Sequence, residues 1–498
     1  MMITILLSAI VIAALSILIH KHLQVYTYWK DRGVPYVKPI PIFGNMYDLA
    51  LFIKHVGEVI VQIYNEIDEP YVGFFFMDQP VLMIRSPKII KQILIKDFNN
   101  FRNRSIAPAR HSDIFRNFLL MSESNRWKYL RNQLTPLFTS GKLKGMVHTI
   151  NEVSDRLTEQ IAKSDGPLDT KEVYTNFITE AIGQCFFNIE TKCLGDEKSI
   201  FREILRRLFH PSHKTLFIQF IYFVRSKWVD ILKLDFVDSD AIKFLVQVFS
   251  EAVALRKVPN EKTKDVIDVM IKNKDAEDFG KIGHFASGVQ FMVAGIETTS
   301  TGMSWMMLEL AFNQNIQDKL REEIIEVIKK HEGKITWQAI QEMKYLDMCY
   351  LETLRRYPIV PFLDRKAIED YKIEGTNFVI EKGTVIYIPL FGLSWDEKYY
   401  PDPYKFDPER FANSPHANLN DEGLTYMPFG AGQRICLGER FAILSTKLVV
   451  VKTLLKYKLE SCNESPPYPV KLNPKTTFLE SKQGLKVNFT PINVDIEL

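Results

Sequence analysis

The chain has 498 residues, of which 46% are hydrophobic, 12% aromatic and 25% charged, with 63 Lys plus Arg against 60 Asp plus Glu and a formal net charge of +3. These proportions exclude a disordered, collagen-like or coiled-coil chain, and the near-neutral balance argues against a nucleic-acid binder, whose domains are strongly basic. The five cysteines, Cys185, Cys193, Cys349, Cys436 and Cys462, are odd in number and scattered, so they do not form a disulfide framework and fit a reduced, cytosol-facing compartment.

Residues 1–19 carry no charge. At the rise of an α-helix they span roughly 28 Å, close to the hydrocarbon thickness of a bilayer. The run is longer than a signal-peptide core, lacks a basic segment before it and a small-residue cleavage site after it. Residues 1–20 therefore read as a membrane anchor. Lys21, Lys30 and Arg32 follow it, which places the remaining chain in the cytosol by the positive-inside rule. Residues 21–45 read as a Pro-rich connector, made stiff and extended over 33–45 by Pro35, Pro39 and Pro41. Residues 71–85 read as a β-hairpin turning at Asp78-Gln79-Pro80, residues 86–98 as a helix, and residues 127–355 as mostly helical by their i, i+3, i+4 apolar spacing. Within that region a long helix is expected over 280–312, and an amphipathic helix over 314–331 with Asn315 as its N-cap and Asp318 three residues on. Short strands return at 371–390, a Pro-rich stretch without periodicity covers 396–430, a strong helix occupies 439–457, and 467–490 is strand-like. The fold class is mainly α with small peripheral β-sheets, and residues 46–498 read as a single large catalytic domain.

Residues 429–438 carry the chemistry: Phe429-Gly430-Ala431-Gly432-Gln433-Arg434-Ile435-Cys436-Leu437-Gly438. The glycines admit backbone conformations closed to other residues and a close approach to a bulky partner. Cys436 precedes a helix whose N-terminal amides favour a thiolate. With no second Cys or His beside it, it is a poor zinc site but a good single axial ligand for an iron whose other positions are filled, as in haem. Arg434 stands where it could pair with a haem propionate. Ala294-Gly295-Ile296-Glu297-Thr298-Thr299 places a helix-weakening Gly and a Thr able to divert a carbonyl in the middle of the long helix. Glu352 and Arg355 share a helix face at i, i+3, and Trp127 and Arg131 share another at i, i+4.

The 429–438 segment resembles the haem-binding loop of cytochromes P450, Phe-x-x-Gly-x-Arg-x-Cys-x-Gly, with Phe429, Gly432, Arg434, Cys436 and Gly438 at every fixed position. The other motifs follow in the family's order, and the likeness covers the whole chain. It is nearest to the insect microsomal P450s that group with vertebrate 3A-type detoxification enzymes. The resemblance implies a cytochrome P450 fold holding haem b, with Cys436 as iron ligand. It implies Glu297 and Thr298 as the acid–alcohol pair that orders proton-delivering waters. It implies a structural network of Glu352, Arg355 and Arg410 (from Pro408-Glu409-Arg410-Phe411), and propionate contacts from Trp127, Arg131 and Arg365. One departure is Ser394-Trp395, where many relatives carry a His followed by a basic or aromatic residue; an effect on packing or on a hydrogen bond near the haem edge is expected there, without loss of activity.

The chain has no flavin domain and no GxGxxG fingerprint, so electrons must come from a separate NADPH–cytochrome P450 reductase, with cytochrome b5 as a further partner. The expected activity is insertion of one oxygen atom into lipophilic substrates at the cytosolic side of the endoplasmic reticulum membrane. Substrate contacts are expected from Phe115, Phe118, Phe291, Ala294, Phe362 and Phe478. Residues 216–224 are strongly apolar and are expected to dip into the membrane, and Lys128, Lys142 and Lys144 to meet an acidic reductase surface. The competing readings are a P450-like isomerase or dehydratase that needs no reductase, and a haem-binding protein without turnover.

Overall fold

The computed structural model describes residues 23–196, 198–210, 212–256, 265–413 and 423–494. The anchor expected at residues 1–20 lies outside the described residues. Among the described residues no helix is long and apolar enough to cross a membrane.

Helices dominate, and the elements that position the site are α1 (Val56–Glu66), α2 (Ser124–Leu134), α3 (Ser140–Ala162), α4 (Thr170–Ile182), α5 (Ile200–Phe209), α6 (His213–Val224), α7 (Ser226–Ile231), α8 (Ala286–Phe312), α9 (Gln314–Lys330), α10 (Lys344–Arg356) and α11 (Glu439–Lys456). The centre is α8, 27 residues long and buried along most of its length, packed on α4 and α10 and against α11. It is apolar around nearly its whole circumference, as a helix enclosed by others must be.

The strands are β1 (Tyr71–Phe76), β2 (Gln79–Ile84), β3 (Leu168–Asp169), β4 (Phe362–Lys366), β5 (Tyr371–Lys372), β6 (Val379–Ile380), β7 (Val385–Pro389), β8 (Tyr457–Glu460) and β9 (Lys486–Pro491). They form three peripheral sheets, ordered β1-β2-β7-β4, β3-β9-β8 and β5-β6. In the largest, β1 and β2 are antiparallel, β2 and β7 parallel, and β7 and β4 antiparallel, with Phe362 opposite Pro389.

Several expectations shift. The hairpin turns at Met77-Asp78, because Met77 takes φ +58°, and Gln79 and Pro80 already belong to β2. Pro80 fits because pairing of β2 with β7 begins only at Val81, so no ladder needs its missing N–H. α9 starts at Gln314 as expected, but Asn315 lies inside it and Asn313, not Asn315, precedes its first turn. The Asn313 amide donates to the Glu309 carbonyl (2.8 Å) and carboxylate (3.0 Å), closing α8 instead of capping α9. The 467–490 stretch contributes only β9, and β8 was not anticipated. The connector lies docked along β1: Val37 N–H donates to Gly73 O (3.0 Å) and Gly73 N–H to Pro35 O (2.8 Å). Behind it Trp29 is fully buried, its indole donating to Phe74 O (3.0 Å).

Candidate haem-thiolate site

A tight loop between Phe429 and Gly438 delivers Cys436. Its N–H donates to the Phe429 carbonyl (2.8 Å), and Gly430 (φ +81°) and Gly432 (φ +71°) turn the chain. A β-carbon at Gly432 would stand 2.1 Å from the Leu94 carbonyl oxygen, so only glycine fits. From α2, Arg131 donates to the Ile435 carbonyl (2.7 Å) and places its charge beside the sulfur. Burial pushes the thiol up from its ordinary range, while the Gly438 and Glu439 amides and Arg131 pull the other way. The helix-terminal amides therefore act as expected but do not make a thiolate by themselves; metal coordination is what deprotonates a ligating thiol outright.

Cys436 keeps accessible surface although protein encloses it, which places it on the wall of an internal cleft. On α8, buried along most of its length, accessible surface at Phe291, Ala294, Gly295 and Thr298 forms an i, i+3, i+4, i+7 stripe; Val293 and Phe312 are the other residues not fully buried. The Thr298 hydroxyl donates to the Ala294 carbonyl (2.7 Å), the diversion anticipated for it. A β-carbon at Gly295 would meet Ile182 Cδ1 at 2.9 Å, so packing against α4 itself calls for a small residue. Glu297 points elsewhere: its carboxylate pairs with Lys171 of α4 (2.8 Å).

Cations gather at the edge of the loop. Arg434 donates to the carbonyls of Arg102 (2.9 Å), Leu119 (3.2 Å) and Ser122 (2.9 Å), with its guanidinium 4.5 Å from the Trp127 ring centroid. Thus three of its donors are spent on backbone in this structure. Arg365 is buried and donates to its own neighbour's carbonyl, Asp364 O (2.7 Å), and its Nε, like those of Arg102 and Arg104, has no hydrogen-bond partner among the described residues. Burial and the charges of Arg104 and Arg365 push Arg434 down to about 8; burial and Arg104 push Arg365 down to about 9. Asp364, held by Arg104 (3.0 Å) and Ser105, is the carboxylate inside this group. A cluster with surplus positive charge and orphaned guanidinium donors suits the two carboxylates of a haem, and the Cys436 wall suits its iron. The residues present fit the group.

On the far side of the Cys436 loop, Glu352 is fully buried and gripped by Arg355 through two hydrogen bonds (2.6 and 3.0 Å). Arg410 Nε lies 3.5 Å from the same carboxylate, and Asp407 N–H donates to it (2.9 Å). Burial raises the Glu352 carboxyl, opposed by Arg355, the Asp407 amide and Arg410. Arg355 also donates to the carbonyls of Ser394 (2.7 Å) and Pro403 (2.7 Å). Position 394 thus serves this network through its backbone carbonyl rather than its side chain. The Trp395 indole donates to Arg356 O (2.9 Å).

Of the residues expected near substrate, Phe115 and Phe118 pack edge to face (5.3 Å) and are buried, Phe362 stacks on Tyr387 (4.0 Å), and Phe291 sits between Phe138 and Phe186. Phe478 packs half-buried against the main core. Sequence reasoning missed Arg102, Arg104, Asp364 and Lys171. The adjacent Asp364-Arg365 and the Arg102-Asn103-Arg104 alternation were visible, but nothing local ties them to the Cys436 loop, about 70 and about 330 positions later.

Fold and site define a haem-thiolate protein, and comparison with known proteins agrees. The family profile described as Cytochrome P450 matches residues 34–489, and the chain belongs to that family. It is 36% identical to cytochrome P450 6j1 of Blattella germanica, over 94% of each chain, and 35% identical to cytochrome P450 6a2 of Drosophila melanogaster, over 96% of this chain and 97% of the other. The chain is a P450 monooxygenase and binds haem b.

Proposed function

We propose that the protein is an endoplasmic reticulum monooxygenase for lipophilic compounds, xenobiotics such as plant toxins and insecticides or endogenous lipids, that takes electrons from NADPH through a separate reductase and from cytochrome b5. The observations that carry this reading are the Cys436 sulfur, which keeps accessible surface inside the protein, and the accessible residues Phe291, Ala294, Gly295 and Thr298 on the otherwise largely buried α8. Haem b, when bound, supplies the activation and cleavage of dioxygen, promoted by its thiolate ligand.

This chain's own residues do the rest. Cys436 ligates the iron, and Arg131 steadies the loop through the Ile435 carbonyl. Arg365, Arg434, Arg131 and Trp127, whose ring lies against Arg434, hold the propionates. Phe429, Gly432 and Gly438 shape the loop. Phe115, Phe118, Phe291, Ala294, Phe362 and Phe478 exclude water and orient an apolar substrate. The Thr298 hydroxyl, on the cleft face, passes protons brought by Glu297. Glu352, Arg355 and Arg410 brace the segment that precedes the loop.

Membrane contact is supported by exposed apolar residues at Ile42, Ile53, Phe217, Trp228, Ile231 and Leu232. Within 216–224 it is Phe217 that stays exposed; Ile221, Tyr222 and Val224 turn inward, so α7 and residues 40–53 share the role expected of that stretch. Lys128 and Lys144 are exposed on α2 and α3, the former on the helix whose Arg131 reaches the Cys436 loop, where an acidic reductase would dock.

Two measurements test the reading. Reduced protein with carbon monoxide is expected to show a red-shifted thiolate Soret band that Cys436→Ala abolishes; retention of the band in that variant would assign the ligand elsewhere. With reductase and NADPH, a panel of lipophilic compounds is expected to yield oxygenated products in step with NADPH use. Conversion without NADPH would favour an isomerase, and none under any condition a non-catalytic haem protein.

A further inference from the structure

Ala294 is the one exposed residue of α8, a helix enclosed by others, so its surface opens on the internal cleft. Gln290 lies one turn before it on the same side of the helix and Ser287 a further turn back, an i, i+3, i+7 row. Both are polar, both are only 8% exposed, and both are incompletely bonded: Gln290 Nε2 and Ser287 Oγ reach no solvent and have no hydrogen-bond partner among the described residues. A helical hydroxyl ordinarily satisfies itself on the carbonyl four residues back, as Ser304 does on Ser300 O (2.6 Å) and Thr298 on Ala294 O (2.7 Å). Ser287 does not.

The orientation of the Gln290 amide is fixed. Its Oε1 accepts the Leu119 N–H (2.8 Å), a group that can only donate, so the oxygen must face Leu119 and Nε2 must turn away from it. The Leu119 carbonyl in turn accepts from Arg434 (3.2 Å), which suspends this peptide between α8 and the Cys436 loop. The surroundings are apolar, with Phe115 and Phe118 edge to face on the Leu119 segment and Phe291 and Ala294 next along α8. A buried N–H without an acceptor is costly, so its retention calls for a reason. A ligand that brings the acceptor supplies one.

We propose that Gln290 Nε2, seconded by the Ser287 hydroxyl, is a polar anchor for substrate: the protein prefers lipophilic compounds that carry a neutral oxygen acceptor, a ketone, ester or ether, over hydrocarbons of the same shape. The proposal rests on the reading of this cleft as the substrate site. A carbonyl oxygen has two lone pairs and can take the amide N–H and the hydroxyl together. A carboxylate fits less well. Both anchor groups are neutral, and Arg434, on the other side of Leu119, is already engaged by three carbonyls, so an ion would lose its hydration without gaining an opposite charge. An apolar wall with a few placed polar groups is how a small-molecule site fixes the orientation of its ligand.

The test uses the full-length, haem-loaded protein with bicyclohexyl and the three ketones that place a carbonyl at position 2, 3 or 4 of one of its rings. In equilibrium dialysis, Gln290→Met is expected to weaken at least one ketone by roughly five- to ten-fold, the worth of one hydrogen bond, while leaving bicyclohexyl unchanged. Ser287→Ala should act in the same sense and less strongly. Infrared spectra of that ketone, isotope-labelled at the carbonyl and bound to the wild type, should show its C=O band below its frequency in hexane, and Gln290→Met should return the band to that frequency. Equal weakening of ketones and hydrocarbon would mean that Gln290 only props residues 115–120, and would overturn the anchor. So would a wild-type C=O band at the hexane frequency for all three ketones, a result that needs no variant to fold. If the wild type binds neither bicyclohexyl nor any of the ketones, the reading of the cleft as a substrate site falls, and the proposal with it.

Discussion

Gly430 and Gly432 stand two residues apart in the Cys436 loop, and replacing each with Ala is expected to give different outcomes. Both have positive φ, which for a residue with a β-carbon costs on the order of 1–2 kcal/mol. At Gly430 the nearest atoms to an added β-carbon are 3.9 Å away, so Gly430→Ala should carry that penalty and little else. At Gly432 the carbon would lie 2.1 Å from a backbone oxygen that cannot step aside without moving residues 92–96. Gly432→Ala should therefore lose haem on purification and unfold several degrees below Gly430→Ala. The haem-to-protein absorbance ratio and the thermal midpoint check this; equal values for the two variants would refute the steric account.

Between elements, the Glu352 network ties α10 to the 403–411 segment, and its two arginines are not equivalent. Arg355 is wholly buried and bonds the carboxylate twice and two carbonyls besides; Arg410 is partly exposed and stands off at 3.5 Å. Arg355→Ala leaves a buried carboxylate facing a single distant cation and is expected to cost about 3–5 kcal/mol, the range for breaking a buried pair. Arg410→Ala should cost markedly less. Urea unfolding of the two variants reads the order directly, and Arg355→Lys should not rescue, because a point charge cannot fork to carboxylate and carbonyls together.

The start of α1 is sensitive to pH. His55 caps it, its Nδ1 accepting the Gly57 N–H (3.1 Å) while Glu58 returns a bond to the His55 N–H (2.8 Å). Burial pushes its pKa down to about 4, against nearby carbonyls of Phe478 and Thr476. Above the unfolded value near 6.5 both states are neutral and the group has no effect on stability. As pH falls from 6.5 toward 4 the unfolded chain binds the proton first, and the fold loses up to about 3 kcal/mol. His55→Asn keeps the cap acceptor without titrating, so its thermal midpoint should fall less steeply than wild type over that window; parallel slopes would exclude His55 as the cause.

At the scale of the whole molecule, what could be read from the sequence follows the range of the interactions. The central helix, the Cys436 loop and the Glu352-x-x-Arg355 pair are set by periodicity or spacing within a few residues, and the structure brings Glu352, Arg355 and Arg410 together. The pairing of Glu297 with Thr298 rests on the resemblance; the turn of the Glu297 carboxylate toward Lys171 depends on a helix over a hundred positions earlier. The cationic cluster of Arg102, Arg104, Arg365 and Arg434 draws on three separate segments, and no local pattern reports it.

The apolar surface follows the same rule, since hydropathy marked residues 216–224 but only packing separates the inward Ile221 and Tyr222 from the outward Phe217. Tyr222 is fixed by its hydroxyl bond to Leu234 O (2.6 Å), and Phe220 by its ring contact with Phe76 (5.4 Å). What remains outside is Phe217 with Trp228, Ile231 and Leu232, and the Phe52–His213 ring contact (5.9 Å) joins this face to the exposed Ile53. A patch of this kind, rimmed by charged residues, is what an interfacial segment presents to lipid. In vesicles carrying a photoreactive group deep in the acyl chains, label on the full-length chain should therefore concentrate at residues 40–53 and 217–232, beyond any label on residues 1–22. Replacing Phe217, Ile231 and Leu232 with Ser should remove the second cluster while leaving the carbon monoxide spectrum unchanged. Label confined to residues 1–22 would mean that the body stands clear of the membrane and that this surface has another purpose.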